Sequence, residues 1–236
     1  MTDPTPIRVV LADDDALIRA GLSTIVGADP AIEVVAEAGD GREAVTLVGL
    51  YRPDIVLMDI RMPRLNGLEA IAELRSLRTA VRIIVLTTFA DDEYLDRALE
   101  LGVDGYLVKS SAPADITGGI RSVSAGGAAL SPMVARWIMT HGGRGIAAHR
   151  IAAHRAESLT DRQLDVLRRM AQGDSNAEIG RHLYLSEATV KGYVSEILIR
   201  LGVAGRVQAA VIAHEAGLLY PQTAEADRDR VRNWSR

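Results

Sequence analysis

The sequence predicts a doubly wound α/β domain with an open five-stranded parallel sheet, followed by a small all-α domain of four helices. Two observations predict this organisation. The first half alternates short, almost wholly apolar runs with helix-length segments, which is typical of parallel strands buried on both faces. In the second half the strand-like runs disappear, and helix-capping patterns follow one another at short intervals.

The elements of the first half follow from these runs. Each predicted strand is rich in β-branched and aliphatic side chains, and each is followed by a segment long enough for a helix. The predicted strands are residues 7–13, 32–36, 54–59, 82–87 and 105–109. The predicted helices are residues 16–27, 41–51, 66–77, 91–101 and 115–125.

Composition excludes several classes of protein. The chain is 236 residues long, has ordinary globular proportions of apolar and charged residues, and contains no cysteine, which excludes disulfide frameworks, Cys-ligated metals and thiol catalysis. No apolar run approaches the ~18 residues of a membrane span. We therefore expect a cytoplasmic protein with no membrane partner. The net charge of −4 means that any nucleic-acid binding must be local.

Polar side chains stand at the carboxyl ends of four predicted strands. They are Asp13, Asp59, Thr87 and Lys109, and Asp14 follows the first of them. Because ligands of open parallel sheets bind beyond the carboxyl ends of the strands, we expect these groups to share one crevice. For the acidic triplet 13–15 alone, the simpler alternative is a cap on the helix that begins near Ala16. That alternative does not explain Asp59 or Lys109.

Several carboxylates in one crevice favour a bound cation, because they repel one another without it. Oxygen ligands without His or Cys suit a hard ion such as Mg²⁺. Such an ion together with Lys109 would neutralise the oxygens of an incoming phosphoryl group, and Thr87 could donate a hydrogen bond to one of them. A carboxylate can act as the nucleophile. We therefore expect Mg²⁺-dependent phosphorylation of an aspartate, with Asp59 at the centre.

Four segments of the first half carry a resemblance to a known family. They read Val-Leu-Ala-Asp-Asp-Asp, Asp-Ile-Val-Leu-Met-Asp-Ile-Arg-Met-Pro-Arg-Leu-Asn-Gly, Ile-Val-Leu-Thr-Thr-Phe and Gly-Tyr-Leu-Val-Lys. On these segments, residues 7–126 resemble the receiver domain of two-component response regulators, which has a flavodoxin-like fold.

This resemblance implies a role for each residue of the crevice. Asp59 would accept a phosphoryl group from a sensor histidine kinase. The ligands of a Mg²⁺ ion would be Asp13, Asp14, Asp59 and the backbone carbonyl of Arg61. Thr87 and Lys109 would sense the phosphate, and the rotamer of Tyr106 would report the state.

The second half is predicted to be helical. A short helix is expected at 131–140, and residues 141–157 are expected to form a linker. The three histidines of this linker could alternatively bind a metal or sense pH. Capping patterns then begin at Thr160, Ser175 and Ser186, and they predict a helix-turn-helix. The predicted helices are residues 163–172, 176–183, 187–201 and 206–217.

The third of these helices has two distinct faces. At ~100° per residue, one narrow stripe is apolar and predicted to face the core. That stripe consists of Val190, Val194, Ile197 and Leu201. The opposite face carries Lys191, Gly192, Ser195 and Ile199. The small residues Gly192 and Ser195 would let the backbone of this helix approach a DNA groove closely. The alternative is that the helix is part of a helical bundle with a purely structural role.

A second resemblance covers residues 157–219. The segments Leu-Thr-Asp-Arg-Gln, Gly-Asp-Ser-Asn-Ala-Glu-Ile and Leu-Ser-Glu-Ala-Thr-Val-Lys-Gly-Tyr-Val-Ser resemble the LuxR-type helix-turn-helix. The whole chain thus resembles the NarL/FixJ subgroup of response regulators. The resemblance implies a recognition helix at 187–201, with Lys191, Gly192 and Ser195 facing double-stranded DNA. The candidates for phosphate contacts are Thr189, Arg200 and Arg206.

We therefore expect a phosphorylation-dependent transcriptional regulator that binds paired half-sites as a homodimer when phosphorylated. It would not be an enzyme beyond its own phosphoryl transfer. Two alternatives remain: a constitutive DNA-binding protein with a non-signalling receiver, and a Mg²⁺-dependent phosphatase with an aspartyl nucleophile. The expected domains are a receiver (1–127), a helix and linker (128–156), the helix-turn-helix domain (157–220) and a disordered tail (221–236).

Overall fold

The computed structural model describes residues 5–88, 92–141, 152 and 154–219. The first half forms a parallel sheet with the strand order β2-β1-β3-β4-β5-β6. The strands are β1 (Ile7–Ala12), β2 (Ile32–Ala38), β3 (Ile55–Met58), β4 (Arg82–Thr87), β5 (Gly105–Val108) and β6 (Ala129–Leu130). The order reverses between β1 and β3, which is the position at which such sheets bind ligands.

Five helices cover the two faces of the sheet, as predicted. They are α1 (Ala16–Gly27), α2 (Gly41–Tyr51), α3 (Gly67–Ser76), α4 (Asp92–Glu100) and α5 (Pro113–Ser124). Alternate residues of each strand enter opposite cores, so that Val10 of β1 packs on the side of α2, α3 and α4 whereas Val9 packs on the side of α1 and α5. The doubly wound α/β prediction is therefore confirmed.

One strand was not predicted. Within the residues that the structure describes, the sheet has six strands instead of the expected five, because Ala129 and Leu130 pair in parallel with Gly105 and Tyr106 of β5. A two-residue strand is too short to show any periodicity in the sequence. The helix α6 (Pro132–His141) follows it directly.

In the described part of the second half, four helices that follow the expected linker pack into a second core. They are α7 (Asp161–Ala171), α8 (Asn176–Leu183), α9 (Glu187–Leu201) and α10 (Arg206–Glu215). Thr160 and Ser175 form capping boxes with Gln163 and Glu178, and the side chain of Ser186 caps α9 through the backbone N–H of Thr189. All three predicted caps are confirmed. Within the expected linker, residues 154–157 are helical; most of residues 142–153 and the expected tail lie outside the described residues.

Val190, Ile197 and Leu201 of α9 are buried in the helix-turn-helix core, as the predicted apolar stripe requires. Val194 is only half-buried, because it also lines a cleft between the two halves of the chain. Among the described helices, none is by itself long and apolar enough to cross a membrane. The helices α9 and α10 meet that test only as a pair, and the pair is bent by 65°.

The two halves of the chain contact each other along a narrow seam. The backbone N–H of Asn176, at the start of α8, donates to the carbonyl of Ala125 after α5. Val207 of α10 is buried in the sheet core that also contains Leu95 and Ala98 of α4. The helix-turn-helix therefore rests on the face of the first domain formed by α4 and the loops beside β5.

Candidate functional site

The sheet brings the predicted acidic groups together at the carboxyl ends of its central strands. The backbone N–H of Asp59 donates to the carbonyl of Ala12 at 2.8 Å, which extends the pairing of β3 with β1 by one residue. Asp13 comes next on β1, so that the carboxylates of Asp13 and Asp59 end neighbouring strands. Both residues are almost fully buried, at 1% and 5% exposure.

The acidic triplet after β1 divides into two roles. Asp15 caps α1, because its Oδ1 accepts hydrogen bonds from the backbone N–H groups of Leu17 and Ile18. Asp13 and the exposed Asp14 instead join Asp59, with carboxylate oxygens of all three within 4.8 Å of one another. The capping alternative thus accounts for Asp15 alone, and the other two carboxylates form with Asp59 a cluster that could hold a metal ion.

Lys109 brings a positive charge into this cluster from the end of β5. Its Nζ lies 2.6 Å from Oδ2 of Asp13 and 2.9 Å from Oδ2 of Asp59. Burial opposes the charge on the ammonium, but the two carboxylates outweigh it, so that the pKa of Lys109 is raised. Lys109 therefore stays protonated beside the carboxylates at neutral pH.

Burial also governs the carboxyl group of Asp59. The pKa of Asp59 is raised, because desolvation and the neighbouring Asp13 outweigh the hydrogen bonds from Lys109 and from the backbone N–H of Ile60. A buried carboxylate that one ammonium only partly stabilises favours further positive charge. The donor set of three carboxylates fits a hard cation such as Mg²⁺.

The remaining predicted residues of the first domain surround this cluster. Thr87 ends β4 and is buried, and its carbonyl accepts a hydrogen bond from the backbone N–H of Lys109 at 2.7 Å. Tyr106 is fully buried on β5, between Val85 of β4 and Leu130 of β6. The guanidinium of Arg61 lies over the ring of Tyr94 in α4, 5.7 Å from its centroid. The ligand role of the Arg61 carbonyl stays a prediction.

Two further residues, which the sequence did not single out, shape the cluster. Arg19 of α1 donates from Nη1 to the carbonyl of Asp13 at 2.6 Å, and it pairs with Glu37 of β2. Gly67 begins α3 in direct contact with the backbone carbonyl of Asp59, so that any Cβ atom would collide there. The Asn66-Gly67 pair at a helix start could have drawn attention to this glycine.

The predicted DNA-facing residues of α9 lie on its exposed side. Lys191, Gly192 and Ser195 are all exposed, and a Cβ atom on Gly192 would meet no atom within 4 Å. Lys191 pairs with Glu187 one turn earlier, at 3.1 Å. Lys191 and Ser195 also line a cleft against the first domain. This face is thus accessible at Gly192 and partly covered at the other two positions.

The three candidates for phosphate contacts differ in position. Thr189 is exposed, and its hydroxyl lies 2.8 Å from that of Ser186. Arg200 is exposed and donates to the carbonyl of Ser158 at 2.8 Å. Arg206 is only 6% exposed and lies at the seam between the domains.

The surroundings of Arg206 belong to both domains. It donates from Nη1 to the side-chain carbonyl of Asn176 at 3.3 Å and from Nη2 to the backbone carbonyl of Asp174 at 2.6 Å. Burial lowers its pKa to about 10, against the favourable charges of Asp104 in the first domain and of Asp174. In this arrangement, Arg206 is a contact between domains.

The fold and the two sites together define a class: two-domain proteins in which an α/β domain with an acidic, lysine-containing crevice precedes a helix-turn-helix. Family models agree with this division. The response regulator receiver domain matches residues 9–121, and the family described as bacterial regulatory proteins, luxR family, matches residues 157–213.

Relatives of known class match almost the whole chain. The transcriptional regulatory protein LiaR of Bacillus subtilis (strain 168) is 39% identical over 216 residues, covering 90% of this chain and 99% of LiaR. The DNA-binding transcriptional activator DevR/DosR of Mycobacterium tuberculosis is 36% identical over 212 residues, covering 89% of this chain and 94% of its own. The crystal structure of the response regulator ChrA, from a heme-sensing two-component system, matches 91% of this chain and 100% of its own at 30% identity, with a TM-score of 0.51.

The chain belongs to the two-component response regulators of the NarL and LuxR type. It is a transcriptional regulator that joins a receiver domain to a LuxR-type DNA-binding domain.

Proposed function

We propose that Asp59 accepts a phosphoryl group from a sensor histidine kinase and that this modification controls binding of the second domain to double-stranded DNA. The observation that carries the proposal is the contact of Lys109 with both buried carboxylates, Asp13 and Asp59, at 2.6 and 2.9 Å. An ammonium at this position can neutralise a phosphoryl oxygen while a carboxylate oxygen of Asp59 attacks phosphorus. The bond from phosphorus to the donor nitrogen breaks as the new bond forms.

In this proposal the residues of the crevice have separate tasks. Asp13, Asp14, Asp59 and the backbone carbonyl of Arg61 would hold Mg²⁺, which when bound supplies positive charge beside the incoming phosphoryl oxygens. Thr87 would donate its hydroxyl to the new phosphoryl group, and Tyr106 would change rotamer with it. The receiver would catalyse only the transfer to itself and the slow loss of the phosphoryl group.

The second domain would bind DNA through α9. Lys191, Gly192 and Ser195 would face the major groove, and Thr189, Arg200 and Arg206 would contact phosphates. Two features support control by the receiver: Lys191 and Ser195 line a cleft against it, and Arg206 is buried at the seam. Phosphorylation would shift the population toward an arrangement in which these residues are free, and a homodimer would then bind paired half-sites.

The proposed domains are a receiver at 1–127, a helix and linker at 128–156, a helix-turn-helix domain at 157–220 and a tail at 221–236. Both partners, a kinase domain that carries the phosphoryl group and chromosomal DNA, would be met in the cytoplasm.

Incubation of the full chain with acetyl phosphate and Mg²⁺, followed by intact mass measurement, tests the first step. We expect a single phosphoryl adduct on the wild type and none on Asp59→Ala. The absence of an adduct on the wild type, or an equal adduct on the variant, would contradict the proposal. DNA binding that is the same with and without the phosphodonor, despite a stable adduct, would instead favour a constitutive DNA-binding protein.

A further inference from the structure

A cleft of about 450 Å³ lies between the receiver and the helix-turn-helix. Its receiver wall includes Arg75, Arg82 and Asp104, near the amino ends of β4 and β5. Its other wall includes Lys191 of α9 and Arg206 of α10. The volume lies within the range of about 300–1,000 Å³ that is usual for small-molecule sites, which often form at domain boundaries.

The charged side chains of this cleft are mostly basic. Asp104 is the one carboxylate among the residues that line it, against four cations. Its Oδ2 already accepts hydrogen bonds from Arg75 at 3.2 Å and from the backbone N–H of Ile83 at 2.9 Å. Asp104 therefore forms its hydrogen bonds within the receiver and, together with Asp174, stabilises the charge of Arg206 only from a distance. The four cations still outnumber this one carboxylate inside the cleft.

Some hydrogen-bond donors in the cleft have no acceptor among the described residues. The Nε of Arg206 is buried and has no hydrogen-bond partner within the described part of the chain. The guanidinium of Arg82 likewise makes no hydrogen bond or ion pair with the residues that the structure describes. Among the described residues, Lys191 pairs only with Glu187 of its own helix, an exposed contact of little energetic weight. A buried donor without a partner is costly, so an anion with several oxygens would be stabilised here.

We propose that this cleft binds a small anion with two linked phosphoryl groups, held by Arg82, Lys191 and Arg206. Two linked groups suit the site, because its three available cations lie on opposite walls. The regulatory consequence rests on the proposed function: Lys191 is also a DNA-facing residue. An anion that bridges the receiver to Lys191 stabilises the arrangement seen here and competes with DNA.

Isothermal titration calorimetry on the full, unphosphorylated chain tests the site, with inorganic diphosphate as the probe. EDTA is present, so that the acidic crevice carries no Mg²⁺ with which to attract phosphate, and DNA is absent. We expect saturable binding that Arg82→Ala and Lys191→Ala each weaken roughly tenfold or more, as loss of a charge-assisted hydrogen bond predicts. Titration with ADP shows whether the phosphoryl groups alone suffice or a nucleotide binds more tightly.

Arg52→Ala is the matched control. Arg52 lines a different cleft, at the amino end of the sheet, which Arg82 also lines. We expect Arg52→Ala to bind diphosphate as the wild type does. No saturable binding by the wild type, or equal weakening by Arg52→Ala and Arg82→Ala, would overturn the proposal.

Fluorescence anisotropy with a labelled operator tests the consequence, with ionic strength held constant by sodium chloride. We expect diphosphate to weaken DNA binding by the wild type and by Arg52→Ala, and to lose this effect in Arg82→Ala. If diphosphate and chloride at the same ionic strength weakened DNA binding equally, the proposal that the anion competes with DNA would be overturned. If the chain bound no DNA at all, the proposed function would fail while the calorimetric result on the cleft still stood.

Discussion

A Cβ atom on Gly102 would lie 2.6 Å from the Cβ of Ala204, so the receiver and the helix-turn-helix meet here with no room for a side chain. Gly102 has a φ of +68°, which glycine adopts without strain. The loop after α4 and the loop before α10 can therefore touch at backbone distance. The seam depends on the absence of a side chain at Gly102, because any Cβ atom there would meet Ala204 and separate the domains.

We predict that Gly102→Ala tightens DNA binding in the absence of a phosphodonor. The added Cβ atom would lie 2.6 Å from the Cβ of Ala204 and destabilise the contact that keeps Lys191 beside the receiver. The substitution changes neither the net charge nor the residues of α9 that would face DNA. A change in DNA affinity would therefore result from the contact between the domains. We expect roughly five- to tenfold tighter binding, the lower range of typical coupling between sites. Fluorescence anisotropy with a labelled operator measures it.

Gly173→Ala is the control for this variant, because Gly173 also has a positive φ, of +92°, and a Cβ atom on it would meet no atom within 4 Å. Its DNA affinity should equal that of the wild type. If Gly102→Ala and Gly173→Ala bound DNA equally, the seam would have no part in restraining the second domain.

We predict that Lys109→Met slows phosphorylation by acetyl phosphate about a hundredfold, because one positioned charge on the transferring group is lost. The pKa of Asp59 should also rise further, since Lys109 lowers it through a hydrogen bond and its charge. Intact mass at successive times gives the rate, and ¹³C NMR of the carboxyl groups gives the titration. Lys109→Arg should restore only part of the rate, because a planar guanidinium replaces a compact ammonium. A rate unchanged in Lys109→Met would show that the ammonium plays no part.

We predict that Asp13→Asn raises the Mg²⁺ concentration needed for half-maximal phosphorylation at least about tenfold. Asparagine keeps the size of the side chain but removes one of the three clustered charges. A magnesium titration of the initial rate measures the change, and EDTA should stop the reaction of the wild type. Asp15→Asn is the control, because Asp15 caps α1 and asparagine caps equally well. An equal requirement for Mg²⁺ in both variants would argue against Asp13 as a ligand.

We predict that Ser175→Ala destabilises the helix-turn-helix at neutral pH and less so in acid. The hydroxyl of Ser175 caps α8, and its loss should lower the free energy of unfolding by roughly 1 kcal/mol. The same hydroxyl lowers the pKa of Glu178 from its ordinary 4.5. Because the pKa of Glu178 is lower in the folded than in the unfolded chain, its ionised carboxylate stabilises the fold above pH 4.5. This stabilisation is lost as the pH falls through the pKa that Glu178 has in the folded chain.

Urea unfolding at pH 7 and near pH 4 measures this dependence. The difference in the free energy of unfolding between the wild type and Ser175→Ala should be smaller at the lower pH. Ser175→Thr keeps a hydroxyl, so its free energy of unfolding should equal that of the wild type at both pH values. If this difference in the free energy of unfolding stayed the same at both pH values, the hydroxyl of Ser175 would not influence the ionisation of Glu178.

Local sequence patterns predicted most of the receiver. The bounds of β4 and of α2 match the structure residue for residue, because a buried apolar run and a capped amphipathic segment are both set by near neighbours. The acidic cluster was also predictable, since the end of each parallel strand has a known place at the edge of the sheet. The role of Arg19 could not be predicted, because it donates to the backbone carbonyl of Asp13 and no pattern of side chains in the sequence indicates such a contact.

Contacts between domains were beyond such reasoning. The exposure of Arg206 depends on where Asn176 and the receiver loops lie around it, and no periodicity within α10 carries that information. The half-burial of Val194 has the same origin, because its stripe on α9 meets the helical core at one edge and the receiver at the other.

The short strand β6 has a practical consequence for anyone who isolates the receiver. A fragment that ends at residue 127 would lack Ala129 and Leu130. The outer edge of β5 would then expose unpaired backbone N–H and C=O groups to neighbouring molecules. Uncovered edges of this kind promote self-association. A fragment that ends after α6, at residue 141, keeps the edge paired, and it is the better choice for measuring phosphoryl transfer without the second domain.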